Sequence, residues 1–413
     1  MNLLTLSGSY VKAKPLTTTL NIILLALGIA IMVVLLLLSH QVESTLTRNS
    51  RGIDLVVGAK GSPLQIILSS VFHIDFPTGN IALSETQALR RNRMIRQLIP
   101  LALGDSYRGY RIVGTNYDYL DLYETSLQQG ERWSRPMEVT LGAHVAEQQQ
   151  FEPGDEFTSS HGLTDDRLNV HDERPFRVSG VLKPTGTVVD DLILTAVESV
   201  WEVHESHDDS AHLAVPAPTD SITTRGIPRG HEDQEVTALL VQYRSPMAAV
   251  QLPRYINQRT GLQAASPPFE TARLFSLVGI GVDTLRAFAY VIILVAALST
   301  FIALYNALRE RKYDLAIMRS LGASRGRLFL LVLGEGLIIA TLGGVLGILL
   351  GHTLLWLLSV ATPSAGRLGV TAFRLLPEEG VVLLISLGVG TAAALLPAVN
   401  AYRTNVADTL AQS

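Results

Sequence analysis

The 413-residue chain is 47% hydrophobic and only 17% charged, with 33 Lys and Arg against 37 Asp and Glu and a formal net charge of −4. An ordinary soluble domain carries roughly 25% charged residues, so the charges are either thin everywhere or missing from particular segments. The chain has no cysteine, which excludes disulfides, thiol catalysis and cysteine-ligated zinc.

At the N-terminus, Leu3, Leu4, Leu6, Tyr10 and Val11 are interspersed with polar residues, a pattern that suits either an interfacial helix at the inner membrane surface or a frayed polar end. After Pro15, residues 16–38 contain no charge, and windows of the same kind recur at 287–308, 328–350 and 380–398. Glu335 is the only charged residue in all four. Each window has about the 20 apolar residues that a helix needs to cross a bilayer, and a soluble alternative would require four helices with no polar face. The first window exceeds the ~7 to 15 residues of a signal-peptide core and reads as a retained anchor.

The expected fold class is therefore membrane α-helical: four transmembrane helices, at 16–39, 284–308, 328–351 and 378–398, with a large mixed α+β extracytoplasmic domain at 40–280 between the first two. Lys12 and Lys14 precede the first window, and Arg309, Arg311, Lys312, Arg319, Arg325 and Arg327 lie between the second and third. Basic residues in short loops mark the cytoplasmic side. That places 1–15, 309–327 and 399–413 inside and 352–377 outside, so both termini face the cytoplasm.

The outer segment carries more acidic than basic residues, which argues against nucleic acid as a partner. Helices are expected at 40–49 and at 84–97, where Ser84 and Gln87 form a capping-box pattern. Strands are expected at 54–57, 111–114, 138–141, 176–182 and 238–242. Turns are expected at 152–155 and 183–186, and the polar stretch 204–233 reads as a long loop or a partly disordered insert. Residues 63–77 are apolar enough to be either core or a contact surface for lipid, a partner protomer or a hydrophobic substrate. A helix over 269–286 would lead into the second span as a stalk.

Little in the chain points to catalysis. There is no G-x-x-x-x-G-K-[ST] loop, no H-E-x-x-H and no G-x-S-x-G, and the G-x-G-x-x-A match at Gly388, Gly390 and Ala393 falls inside a span. His204, His207 and His212 lie among carboxylates and make zinc the natural candidate ligand of the outer domain, against the alternative of a solvated acidic loop. Glu335, ionisable within a span, suits an ion pair with a loop arginine such as Arg319 or Arg327, or else proton transfer. Gly343, Gly347 and Gly351, four apart, would let another span approach closely.

Between the second and third windows, Tyr313, Leu315, Ile317 and Met318 show helical spacing and Gly322 supplies a stop. Periodicity alone leaves a partner-docking helix and an ordinary positive-inside loop equally open. This loop, followed by a span containing Glu335, resembles the hallmark of the FtsX-like permease family, which includes the MacB type and is also called type VII ABC transporters. The likeness extends to Gln129, Gly130, Glu131, Arg132 and Trp133, to Val139, Thr140, Leu141 and Gly142, to Pro153, Gly154 and Asp155, and to the C-terminal run from Pro397 to Arg403.

The resemblance implies a permease subunit of an ABC transporter, working by mechanotransmission, with export or extraction of an amphiphilic, peptide-like or metal-linked substrate. The other function it implies is a transmembrane regulator that activates a periplasmic partner such as a cell-wall hydrolase. Implied partners are a separate ABC ATPase that binds ATP and Mg, a second permease copy, the lipid bilayer, and a periplasmic adaptor or substrate-binding protein, with no cofactor on this chain itself. The implied location is the bacterial inner membrane. A coupling helix over 311–320 would use Arg311, Tyr313, Asp314, Leu315, Ala316, Met318 and Arg319, with Leu321, Gly322 and Ala323 as its exit turn. The outer domain would divide into a membrane-proximal part, about 50–110 plus 236–270, and a distal part, about 111–235.

Overall fold

The computed structural model describes residues 3–159, 175–205, 221–361 and 371–403. Contacts divide the chain into two units, Met1–Glu43 with Leu277–Ser413, and Ser44–Ser276. Helix α1 (Leu3–Ala13) is followed at Pro15 by α2 (Pro15–Asn49). The proline suits a first helical position, where its missing N–H leaves no bond unmade. At 35 residues, α2 is about 50 Å long. The expected helix at 40–49 is its far end.

The outer unit is built on a ten-stranded sheet. In chain order its elements are β1 (Leu55–Ala59), α3 (Pro63–Ser70), β2 (Ile81–Ala82), α4 (Gln87–Arg90), β3 (Ile95–Tyr107), β4 (Tyr110–Thr115), α5 (Tyr117–Leu122), β5 (Leu127–Gly130) and β6 (Glu138–Leu141). There follow α6 (Ala143–Gln149), β7 (Glu156–Phe157), β8 (Phe176–Leu182), β9 (Leu192–Ala196), α7 (Val197–Glu205), β10 (Glu235–Val236), β11 (Ala238–Tyr243), α8 (Ala248–Arg259) and β12 (Leu262–Ala265). The strand order is β12-β1-β11-β3-β4-β9-β6-β8-β5, with β7 beside β8, and β2 and β10 pair separately.

Strand β3 joins two halves of this sheet. Its first half, Ile95 to Leu101, pairs with β11, and its second, Ala102 to Tyr107, pairs with β4 across a bulge. One apolar core, including Leu55, Leu239, Leu252 and Ile256, lies on the β1, β11 and α8 side. A second, including Val139, Leu141, Phe176 and Ile193, lies beneath β6, β8 and β9.

The helix expected at 84–97 is corrected. A 3-10 turn (Leu83–Thr86) and the single turn of α4 occupy its start, no side chain caps them, and the chain then enters β3. Cross-strand pairing to β11 and burial of Ile95, Leu98 and Ile99 outweigh a local capping pattern. The loop expected at 204–233 is also corrected at its start, because α7 runs through Glu205. The apolar run at 63–77 divides: Ile66, Ile67, Val71 and Phe72 are buried, whereas Ile74 and Phe76 are exposed.

The last turn of α2 is fastened to the residue that ends α5 and to the segment between β8 and β9. Tyr123 donates its hydroxyl to the Asn49 carbonyl at 2.8 Å, Asn49 Oδ1 accepts from the Val188 N–H at 2.9 Å, and Arg48 donates to the Gly186 carbonyl at 2.9 Å. Beside Tyr123, the buried Tyr119 hydroxyl meets His73 Nε2 at 3.3 Å. Burial, aided by Arg111, lowers His73 to about 3, so its ring stays neutral at physiological pH.

The remaining helices are α9 (Pro267–Glu310), α10 (Lys312–Ser320), α11 (Arg325–Ala361) and α12 (Glu378–Arg403). Among the described residues, α2, α9, α11 and α12 are long and apolar enough to cross a membrane. The expected stalk at 269–286 belongs to α9, whose 44 residues make it about 65 Å long. Helix α11 continues through Ala361, into the segment expected to be the short outer loop.

Candidate coupling site

The α10 helix divides its own apolar residues between two faces. Leu315 is buried, and Met318 partly so, against Leu308 of α9, Leu328 and Leu331 of α11, and Ala398 and Ala401 of α12, and Ala316 is buried as well. Tyr313, Ile317 and Leu321, at i, i+4 and i+8, are exposed, Leu321 to 82%. One face thus fixes the helix to the spans and the other stands open. Asp314 is exposed beside Tyr313, and Arg319 lies half-buried in the last turn.

The exit turn is held by backbone geometry. The Ala323 N–H donates to the Met318 carbonyl and the Gly322 N–H to the Arg319 carbonyl, both at 3.0 Å, which is a Schellman arrangement. Gly322 has φ +98°, a conformation that side-chain-bearing residues adopt at a cost.

Arg311, immediately before α10, points inward. Its Nη1 donates to Glu335 Oε1 at 3.3 Å, its Nη2 donates to the Tyr10 carbonyl at 3.3 Å, and its guanidinium lies 4.1 Å from the Tyr10 ring centroid. Glu335 is buried. Its ion-pair partner is therefore Arg311, not Arg319 or Arg327 as expected, because α11 brings Glu335 beneath the start of α10 while Arg327 is exposed.

Sequence reasoning also missed Tyr10 and Ser7. Ser7 donates to the Leu331 carbonyl at 3.1 Å, Leu6 and Tyr10 pack on the cluster around Leu315, and Lys14 pairs with Glu310. Helix α1 is thus fastened to the same end of the spans as α10. No local signal indicates this, since the contacts join residues about 300 positions apart. Burial pushes the Tyr10 phenol above its ordinary range and keeps it neutral.

The three stripe glycines of α11 face α2. A Cβ on Gly343 would meet Leu25, one on Gly347 would meet Ile29 and the Ala26 carbonyl, and one on Gly351 would meet Val33. On its other side α11 meets α12 in the same way. Gly336 faces Ala394 and the Gly390 carbonyl, and Ser386 donates to the Ala340 carbonyl at 2.7 Å. The G-x-G-x-x-A match therefore sits at a helix crossing, where Gly390 allows the two backbones to approach.

Of the proposed zinc ligands, His204 falls in α7 and its side chain is outside the described residues, as are His207 and His212. The described residues contain no group of three or more candidate metal ligands.

A family model described as the MacB-like periplasmic core domain matches residues 18–252, and one described as the FtsX-like permease C-terminal region matches residues 286–406. The chain is similar to the ABC transporter permease YtrF of Bacillus subtilis (strain 168), 29% identical over 125 residues; the match spans 28% of this chain and 28% of that relative. Two solved structures also match. The periplasmic region of MacB from Actinobacillus actinomycetemcomitans covers 55% of this chain and 97% of its own length, at 12% identity and a TM-score of 0.33. The extracellular domain of the noncanonic ABC-type transporter YknZ from Gram-positive bacteria covers 52% and 99%, at 14% identity and a TM-score of 0.31.

Proposed function

The chain belongs to the permease family marked by the MacB-like periplasmic core domain and the FtsX-like C-terminal region, and from that premise we propose that it couples ATP hydrolysis by a separate ABC ATPase to conformational change of its outer domain. It is an ABC transporter permease of the MacB and FtsX type and a multi-pass membrane protein. In the proposed arrangement both termini and α10 lie in the cytoplasm, two copies of the chain pair in the inner membrane, and ATP and Mg are held by the ATPase. The substrate is amphiphilic, peptide-like or metal-linked and is exported or extracted on the outer side without a catalytic step on this chain.

The observation that carries this reading is the open face of α10. Tyr313, Ile317 and Leu321 form an apolar row on a helix whose opposite face is locked to the spans through Leu315 and Met318. A row with i, i+4, i+8 spacing is what an amphipathic helix offers to a groove. A push on it would pass to α9 and α11, between which it is anchored. Helices α2 and α9 each exceed the ~30 Å of a hydrocarbon core, so both can carry motion beyond the membrane.

The test is co-expression of the full chain with its ABC ATPase. Ile317→Glu/Leu321→Glu is expected to lower ATPase recovered with the permease at least about 10-fold while leaving its thermal unfolding unchanged. Asp283→Asn, on an exposed turn of α9, serves as the control. Undiminished recovery and undiminished permease-stimulated hydrolysis in the double variant would remove α10 from the interface.

A further inference from the structure

Although the outer segment is acidic as a whole, seven of its arginines line one hollow of about 740 Å³. Arg90, Arg91, Arg93 and Arg96 come from the end of α4, the turn after it and the start of β3. Arg225 and Arg229 come from the segment that runs beside them, and Arg244 follows β11. The floor is apolar and buried, formed by Ile95, Leu98 and Ile227.

The walls are held independently of any ligand. The Arg244 N–H donates to the Met94 carbonyl at 2.9 Å, extending the β3–β11 ladder and setting Arg244 against the arginine-rich turn. On the other side, the buried Asp118 accepts from the Gly226 N–H at 2.8 Å, Asn116 donates to the Gly226 carbonyl at 2.6 Å, and Glu198 accepts from the Thr223 N–H at 2.9 Å.

Charge compensation stops at one residue. Arg225 pairs with Asp118 at 2.7 Å and Asp121 at 2.6 Å. Among the described residues none of the other six has a carboxylate partner; Arg90 reaches only the Pro228 carbonyl, at 3.5 Å. All but Arg90 are exposed; like charges around one hollow repel one another, and an anion that enters relieves the repulsion while making charge-assisted bonds.

We propose that this hollow binds a phosphate-bearing polyanion, whether a soluble polyphosphate or the headgroup of an anionic amphiphile. A phosphate offers three acceptor oxygens and up to two charges, against two oxygens and one charge for a carboxylate. It therefore suits a hollow whose lining supplies several planar guanidinium forks. The inference stands apart from the coupling of ATP hydrolysis, because the hollow lies wholly within the outer unit and is read by binding alone.

The experiment uses the full chain in zwitterionic nanodiscs at near-physiological salt, titrated calorimetrically with inorganic tripolyphosphate, with dihexanoyl phosphatidate below its micelle concentration, and with a hexaglutamate peptide. Saturable binding of either phosphate compound is expected, and which one binds distinguishes the soluble source from the headgroup. Arg93→Gln/Arg96→Gln/Arg229→Gln should weaken it at least about 30-fold with unchanged thermal unfolding. Arg254→Gln/Arg259→Gln, on α8 away from the hollow, should bind as the unaltered chain does. Binding of neither phosphate compound, binding of hexaglutamate alone, or binding that the triple substitution leaves intact overturns the proposal.

Discussion

Replacing Gly347 by leucine is expected to destabilise the membrane unit by about 3 kcal/mol and lower its thermal midpoint by about 5 to 10 °C. A Cβ there would lie 2.6 Å from both Cβ and Cγ2 of Ile29 and 2.8 Å from the Ala26 carbonyl oxygen. Ile29 is β-branched and stiff at χ1, and the carbonyl belongs to the backbone of α2, so neither can yield without moving a helix. Even alanine at 347 should be costly. Gly343 provides the graded comparison: its nearest neighbour is the end of the flexible Leu25 side chain, at 2.9 Å, so Gly343→Ala should cost less than Gly347→Ala. Gly388 provides the control, because a Cβ there would meet nothing within 4 Å. Thermal unfolding of the purified full chain in one detergent measures all four. Equal midpoints for Gly347→Leu and Gly388→Leu would show that the α2–α11 crossing is not set by close approach.

The comparison of Gly343, Gly347 and Gly351 with Gly336 and Gly390 shows where the sequence could be read and where it could not. A stripe with four-residue spacing announces a small-residue helix face by itself, but its partner is a property of the assembled spans. Gly336, Ala340 and Gly344 on α11 and Ser386, Gly390 and Ala394 on α12 repeat at the same spacing, but alanine and serine blur the stripe, and its role appears when α11 and α12 are seen to cross. The spans were legible because charge is nearly absent from four windows, which is a one-dimensional signal. The strand β3 was not, because Arg90, Arg91, Arg93 and Arg96 and the Ser84 pattern hide a segment whose inward residues pair with a strand about 140 positions later. The segment between α9 and α11 was half legible. Tyr313, Leu315, Ile317 and Met318 share a helical period, but that period does not say which pair faces the spans. The arginine that meets Glu335 was ambiguous for a related reason: several loop arginines are equivalent in composition, and only the helix ends place Arg311 above the carboxylate.

Arg311→Ala should therefore cost more than the loss of a surface charge, about 3 kcal/mol, because it removes the cation beside a buried carboxylate instead of removing a solvated pair. Exposed ion pairs contribute about 1 kcal/mol or less, so the two cases differ enough to separate by thermal unfolding. The same substitution releases the Tyr10 carbonyl and the guanidinium-to-ring contact, which are among the contacts that fasten α1 near the start of α10. Glu335→Gln alone should cost less, since the amide needs no cation and can still accept from Arg311. Combining Arg311→Ala with Glu335→Gln should then recover part of the loss, so the double variant is more stable than the sum of the singles requires. The part not recovered measures what Arg311 contributes through Tyr10, and Tyr10→Leu checks it, since leucine fills the site without offering a π face. Strict additivity of Arg311→Ala and Glu335→Gln would mean that the pair does not stabilise this end of the spans. Coupling between them would identify Glu335 as the residue that holds Arg311, and through it α1, at the base of α10.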